Sequence, residues 1–121
     1  MNSKDSFLKT RIKGCGYAIK GAILLLKNEA SIQVQAVIAV IVTIAGFYFE
    51  LSSTEWVMQV LTIALVMGME GVNSAIEEIA DFVHPNYHEK IGYIKDVAAG
   101  AVFFTAVAAA IIAAIIYIPK F

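Results

Sequence analysis

Glu70, Asn73, Ser74, Glu77, Glu78 and Asp81 stand together within residues 70–81 of a chain that is otherwise strongly apolar around them. On a helix turning about 100° per residue, with Glu70 set at zero, Asn73 falls roughly at −60°, Glu77 at −20°, Asp81 at +20° and Ser74 at +40°. Glu78, near about +80°, sits at the margin of that face. The opposite face, with Leu65, Val72 and Ile79, is apolar. A carboxylate inside a membrane costs about 2.5–3.5 kcal/mol on insertion scales and normally marks a functional path for ions, protons or substrate. The plainer role is glue between helices, but such polar contacts yield only about 0.6 kcal/mol on average. That is small beside the cost of placing Glu70 there, so the chemistry is the better reading for Glu70. The preference is weaker for Glu77 and Glu29, which stand nearer water, and Asp81 is balanced between function and solvation at a helix end.

These residues need elements to carry them. Of 121 residues 60% are hydrophobic and 16% charged, with a mean hydropathy of +0.76. A soluble domain carries about 25% charged residues, so the surplus apolar surface implies a bilayer. Residues 30–49 and 97–118 are uncharged runs, each long enough to cross roughly 30 Å of hydrocarbon. A helix over 55–82 supplies the middle span, with Thr54 as its N-cap, Trp56 at the interface and Pro85 barring continuation. Residues 5–27 predict an amphipathic surface helix, with Leu8, Ile12, Cys15, Ile19, Ala22 and Leu26 on one stripe and lysines mainly off it. The fold class is therefore an all-α membrane protein: one surface helix and three transmembrane helices over 30–49, 55–82 and 96–118, in a single domain.

Six of the 9 basic residues precede the first span: Lys4, Lys9, Arg11, Lys13, Lys20 and Lys27. Lys90 and Lys95 follow the second. Placing basic loops inside gives a cytoplasmic N-terminus, a cytoplasmic loop over 83–96 and an external C-terminus. The N-terminal segment has no pattern of a cleaved signal. The single Cys15 excludes an internal disulfide and reads as a small apolar filler. His84 and His88 are spaced i, i+4, but Pro85 between them disfavours a zinc site. Glu29, Glu77 and Lys95 converge at the cytoplasmic boundary, with Glu70 about 10 Å deeper along its helix. Two classes remain open on the residues alone: an enzyme, or a non-enzymatic assembly or proton-path subunit.

The stretch from Glu70 to Asp81 fits the pattern E-x-x-N-S/T-A-I-E-x-x-x-D, and here the chain resembles the bacterial integral membrane diacylglycerol kinases, a family that includes undecaprenol kinases. Asn28-Glu29-Ala30, Gly16-Tyr17, Lys20-Gly21, Tyr87-His88-Glu89 and Lys95-Asp96 extend the likeness in order over nearly the whole chain. The resemblance implies transfer of the γ-phosphoryl group of ATP to the hydroxyl of a membrane lipid, diacylglycerol first and undecaprenol as the alternative. By the same resemblance Glu70 is the general base and touches the lipid. Glu29 and Glu77 are the magnesium ligands. Tyr17, Glu29, Glu77, Asn86, Tyr87, His88, Lys95 and Asp96 contact ATP, Arg11 contacts the lipid, and Asn73 and Asp81 support the site. Hard carboxylate oxygens suit magnesium, which often takes only one or two from the protein. The Lys-Ser/Thr ending of a Walker A loop is missing after Gly14, so nucleotide binding rests on the likeness. The family also implies a homotrimer in the bacterial inner membrane, with sites between subunits. Ala98, Ala101, Thr105, Ala109 and Ala113 would allow close packing there. No nucleic-acid partner is expected.

Overall fold

In a computed structural model the chain is a set of four helices and a closing turn: α1 (Ser3–Asn28), α2 (Ala30–Tyr48), α3 (Ser53–Val83), α4 (Glu89–Tyr117) and a 3-10 turn (Ile118–Lys120). The structure describes residues 3–121, with side chains from Ser6 onward. Met1 and Asn2, the start of the expected single domain, and the Lys4 side chain counted among the basic residues lie outside the described residues. Among the described residues three helices are long and apolar enough to cross a membrane: α2, α3 and α4 with its turn. The protein is a membrane protein.

α1 and α2 are nearly continuous, and the break falls on Glu29, whose backbone is extended at φ −108°, ψ 113°. Breaking a helix orphans carbonyls on its last turn. Gln33, from the first turns of α2, meets that need: its amide Nε2 donates to Leu26 O and Lys27 O, both at 3.1 Å. The joint is thereby fixed, and the Glu29 side chain, half-buried, projects from it.

The α2–α3 turn is a Schellman stop. Leu51 N donates to Gly46 O at 3.1 Å and Glu50 N to Phe47 O at 3.3 Å, around Glu50 at φ +53°. Leu51 is buried against Gly46, and the Trp56 ring lies across the same glycine. A Cβ built on Gly46 would stand 2.6 Å from Trp56 Cη2, so glycine is required by close approach. The N-cap of α3 is Ser52 rather than Thr54. Ser52 Oγ accepts from Glu55 N while the Glu55 carboxylate accepts from Ser52 N, a reciprocal capping box. Glu55 stands at the third position from Ser52, not from Thr54, and that spacing selects the cap.

α4 also starts earlier than the uncharged run implied, at Glu89 instead of 96. Counting uncharged residues finds the lipid-facing part of a helix, whereas the helix itself runs on into the charged boundary. His88 caps it, with Nδ1 accepting from Lys90 N at 3.0 Å. Lys95 and Asp96 are therefore helical residues, displayed from a rigid element.

α3 and α4 pack antiparallel, with Ser74, Ala80 and Ala98 buried. α2 lies across α3, and α1 meets α3 where Leu25 approaches Gly71. At the end of α3 near Ser52 a polar knot ties the helices: Gln59 Nε2 donates to Val42 O at 3.0 Å, and the Tyr117 hydroxyl stands within donating reach of both Gln59 Oε1 and Val42 O. The Lys120–Glu55 ion pair, 3.1 Å, closes that end. Elsewhere Val34, Val37, Ile41, Leu61, Phe103 and Phe104 face outward, as a helix hydrophobic all round does in lipid.

Candidate active site

The acidic residues sit at the other end of α3, beyond its midpoint. Glu70 and Asn73 are half-buried, Ser74 is buried, and Glu77 and Asp81 are exposed. Their order along one face follows the helical spacing, and exposure grows toward the α3–α4 loop. About 16 Å of helix separates Glu70 from Gln59 in the polar knot.

The acceptors on this face lack donors. Among the described residues no side chain or backbone N–H donates to the carboxylates of Glu70 or Glu77, nor to that of Glu29 on the separate α1–α2 joint. Asn73 Oδ1 is buried with no hydrogen-bond partner. A buried carbonyl oxygen left in that state costs about 1–3 kcal/mol. The arrangement is one that a cation, a hydroxyl or another polar ligand would complete. Magnesium fits that donor set, because it takes one or two carboxylates and completes its shell with water and phosphate oxygens. A site built from protein ligands alone does not form: among the described residues no group of three or more His, Cys, Asp and Glu is placed to hold a metal ion.

One turn further on, the structure joins two of the expected residues directly. Lys95 Nζ lies 2.6 Å from Asp81 Oδ1, linking α4 to α3. Glu77 also attracts Lys95 electrostatically. The pair forms one wall of a cavity of 220 Å³, lined by Asp81, His84, Asn86, Tyr87, Gly92 and Lys95 among others. The loop over it is ordered by its own bonds. His84 Nδ1 donates to Asn86 O at 2.7 Å, and the Tyr87 ring lies over Gly92, where a Cβ would be 3.3 Å from Tyr87 Cε2. The two histidine rings are 5.5 Å apart, edge to face, each with a nitrogen engaged by the backbone.

Other expected residues stand apart. Tyr17 is 72% exposed on α1. Arg11 is exposed on the same helix, its guanidinium 5.1 Å above the Phe7 ring. Asp96 is exposed on α4. One residue escaped sequence reasoning altogether: Gln33, which braces the Glu29 joint. A polar residue one turn inside an uncharged run was its only signal.

The chain matches the family described as prokaryotic diacylglycerol kinase over residues 16–117. It is similar to the undecaprenol kinase of Bacillus subtilis (strain 168), with 36% identity over 122 residues, 99% of each chain. It is similar to the diacylglycerol kinase of Escherichia coli (strain K12), with 31% identity over 100 residues, 83% of this chain and 82% of that one. It is also similar to the diacylglycerol kinase of Synechocystis, 32% identical over 104 residues, 85% of this chain and 59% of the other. Arg11 precedes the family match, whereas Tyr17, Glu29 and every expected site residue of α3 and α4 lie inside it.

Proposed function

We propose a division of labour among the residues of this chain, which belongs to the prokaryotic diacylglycerol kinase family and is a membrane lipid kinase. Glu70 takes the proton of the lipid hydroxyl as that oxygen attacks the γ-phosphorus of ATP, the bond from the γ-phosphorus to the bridging oxygen breaks, and ADP leaves. Glu29 and Glu77 would hold magnesium, which would supply positive charge against the triphosphate. Lys95 and the 86–88 loop receive the polyphosphate, with Asp96 and Tyr17 as further nucleotide contacts. Asn73 keeps the lipid hydroxyl aligned, and Arg11 contacts the lipid at the surface. The observation that carries this reading is the polar face of α3, where Asn73 Oδ1 is buried without a partner and the helix leads on to Asp81 and the lysine in the cavity wall.

Phosphoryl transfer asks a protein mainly for positioning and charge neutralisation. The depth of Glu70 suits a hydroxyl at the lipid headgroup level, while Glu77 and Lys95 suit a water-borne nucleotide. The scarcity of basic residues between Lys27 and Lys90 supports an N-terminus in the cytoplasm and a C-terminus outside the inner membrane. α1 then lies on the cytoplasmic surface, its exposed Leu8, Ile12 and Ile19 toward lipid. One chain leaves Glu29, Glu70 and Glu77 only partly enclosed, and a homotrimer would complete each site with a second subunit.

Two acceptors suit the site. Diacylglycerol, giving phosphatidic acid, is the acceptor named for several relatives. Undecaprenol is favoured by a separate observation: the relative of that name aligns along 99% of both chains at 36% identity. Purified protein offered each lipid in matched micelles with labelled MgATP discriminates them. Higher turnover on diacylglycerol supports the first acceptor, and higher turnover on undecaprenol replaces it with the second.

A further inference from the structure

We propose that Asp81 is a positioning residue for the nucleotide, acting through Lys95. It holds the ammonium in the cavity wall so that its remaining donors face an incoming polyphosphate. The inference rests on the kinase reading and on Lys95 as a phosphate contact, and goes beyond them in giving Asp81 a task.

A lysine ammonium has three N–H donors on a flexible four-carbon stem. The 2.6 Å bond to Asp81 Oδ1 uses one of them. Two are left, and both partners line the cavity that also holds Asn86 and Tyr87. Glu77, one helical turn before Asp81, adds a second attraction to the same ammonium. The two carboxylates thus bias Lys95 toward the acidic face of α3 and away from lipid. Tyr87 packed over Gly92 keeps the opposite wall in place.

Folding stability does not account for the pair. Lys95 and Asp81 side chains are 35% and 59% exposed, and water screens such an attraction until it contributes little. Ordering a long side chain before the ligand arrives is where the benefit lies, because binding then loses less rotamer freedom.

The test is steady-state kinetics of the full chain in lipid micelles. Asp81→Asn is expected to raise KM for MgATP about three- to tenfold, the range for one side chain left to be ordered on binding. kcat should fall by less than KM rises, KM for the lipid should not move, and Asp81→Glu should recover part of the loss. Binding of a fluorescent ATP analogue checks the route: in a Lys95→Met background, adding Asp81→Asn should cause no further loss of affinity. An unchanged or lowered KM for MgATP would overturn the proposal. So would a further loss of analogue binding without Lys95, or a fall in kcat that tracks lost thermal stability with KM constant. A wild-type chain that phosphorylates no lipid would overturn the kinase reading itself, and with it this inference.

Discussion

Replacing Tyr117 by Phe removes one oxygen from the polar knot and leaves the ring. The Tyr117 hydroxyl reaches Gln59 Oε1 and lies 3.1 Å from Val42 O, while Gln59 Nε2 already donates to the same carbonyl at 3.0 Å. The hydroxyl has one proton, so it makes one of these bonds at a time. Gln59 is 5% exposed, and without Tyr117 its Oε1 has no donor among the described residues. An unsatisfied buried acceptor costs about 1–3 kcal/mol in water-soluble proteins. Hydrogen bonds between membrane helices measure about 0.6 kcal/mol on average and about 1.7 at most, because a helix left in lipid finds other partners. The lower scale applies here, so Tyr117→Phe should destabilise the fold by about 1 kcal/mol. Reversible unfolding by a denaturing detergent in mixed micelles measures it. Gln59 is about 16 Å along α3 from Glu70, so the turnover of the folded fraction should stay within about twofold. Stability equal to wild type, or turnover lost while stability holds, would refute the separation between a structural end and a chemical end.

The same unfolding assay tests the α2–α3 corner. Gly46→Ala drives a methyl to 2.6 Å from Trp56 Cη2 and 3.1 Å from Leu51 Cδ1, and should cost about 1–3 kcal/mol; no loss would mean the corner yields freely. Glu77→Gln removes a hard anionic ligand while keeping its size, so the magnesium concentration for half-maximal turnover should rise about tenfold or more. An unchanged magnesium dependence would take Glu77 out of the metal site.

The spans were legible because a lipid solvent imposes long uncharged runs, and residues 30–49 and 97–118 advertise them. The boundaries were not, for local reasons. Charge counting placed the start of α4 at 96, but Lys90, Lys95 and Asp96 are compatible with helix outside the hydrocarbon, and the cap at His88 decides. The stop after α2 uses Glu50 in the left-handed region, where glycine is the usual signal, so sequence offered no marker. The acidic face of α3 was readable from spacing alone, since helical geometry is the same in any solvent. The Asp81–Lys95 pair was not, because it depends on how far α4 slides along α3. The knot of Gln59, Tyr117 and Val42 draws on residues up to 75 positions apart, which no local pattern reveals.

The most direct test is transfer of label from γ-labelled MgATP to a micellar lipid alcohol by wild type and by Glu70→Gln, compared at saturating substrates and equal folded protein. Wild type should phosphorylate the lipid, and Glu70→Gln should lose about 100-fold or more in kcat, the range for removing a positioned base. Equal turnover by the two proteins would contradict the role of Glu70.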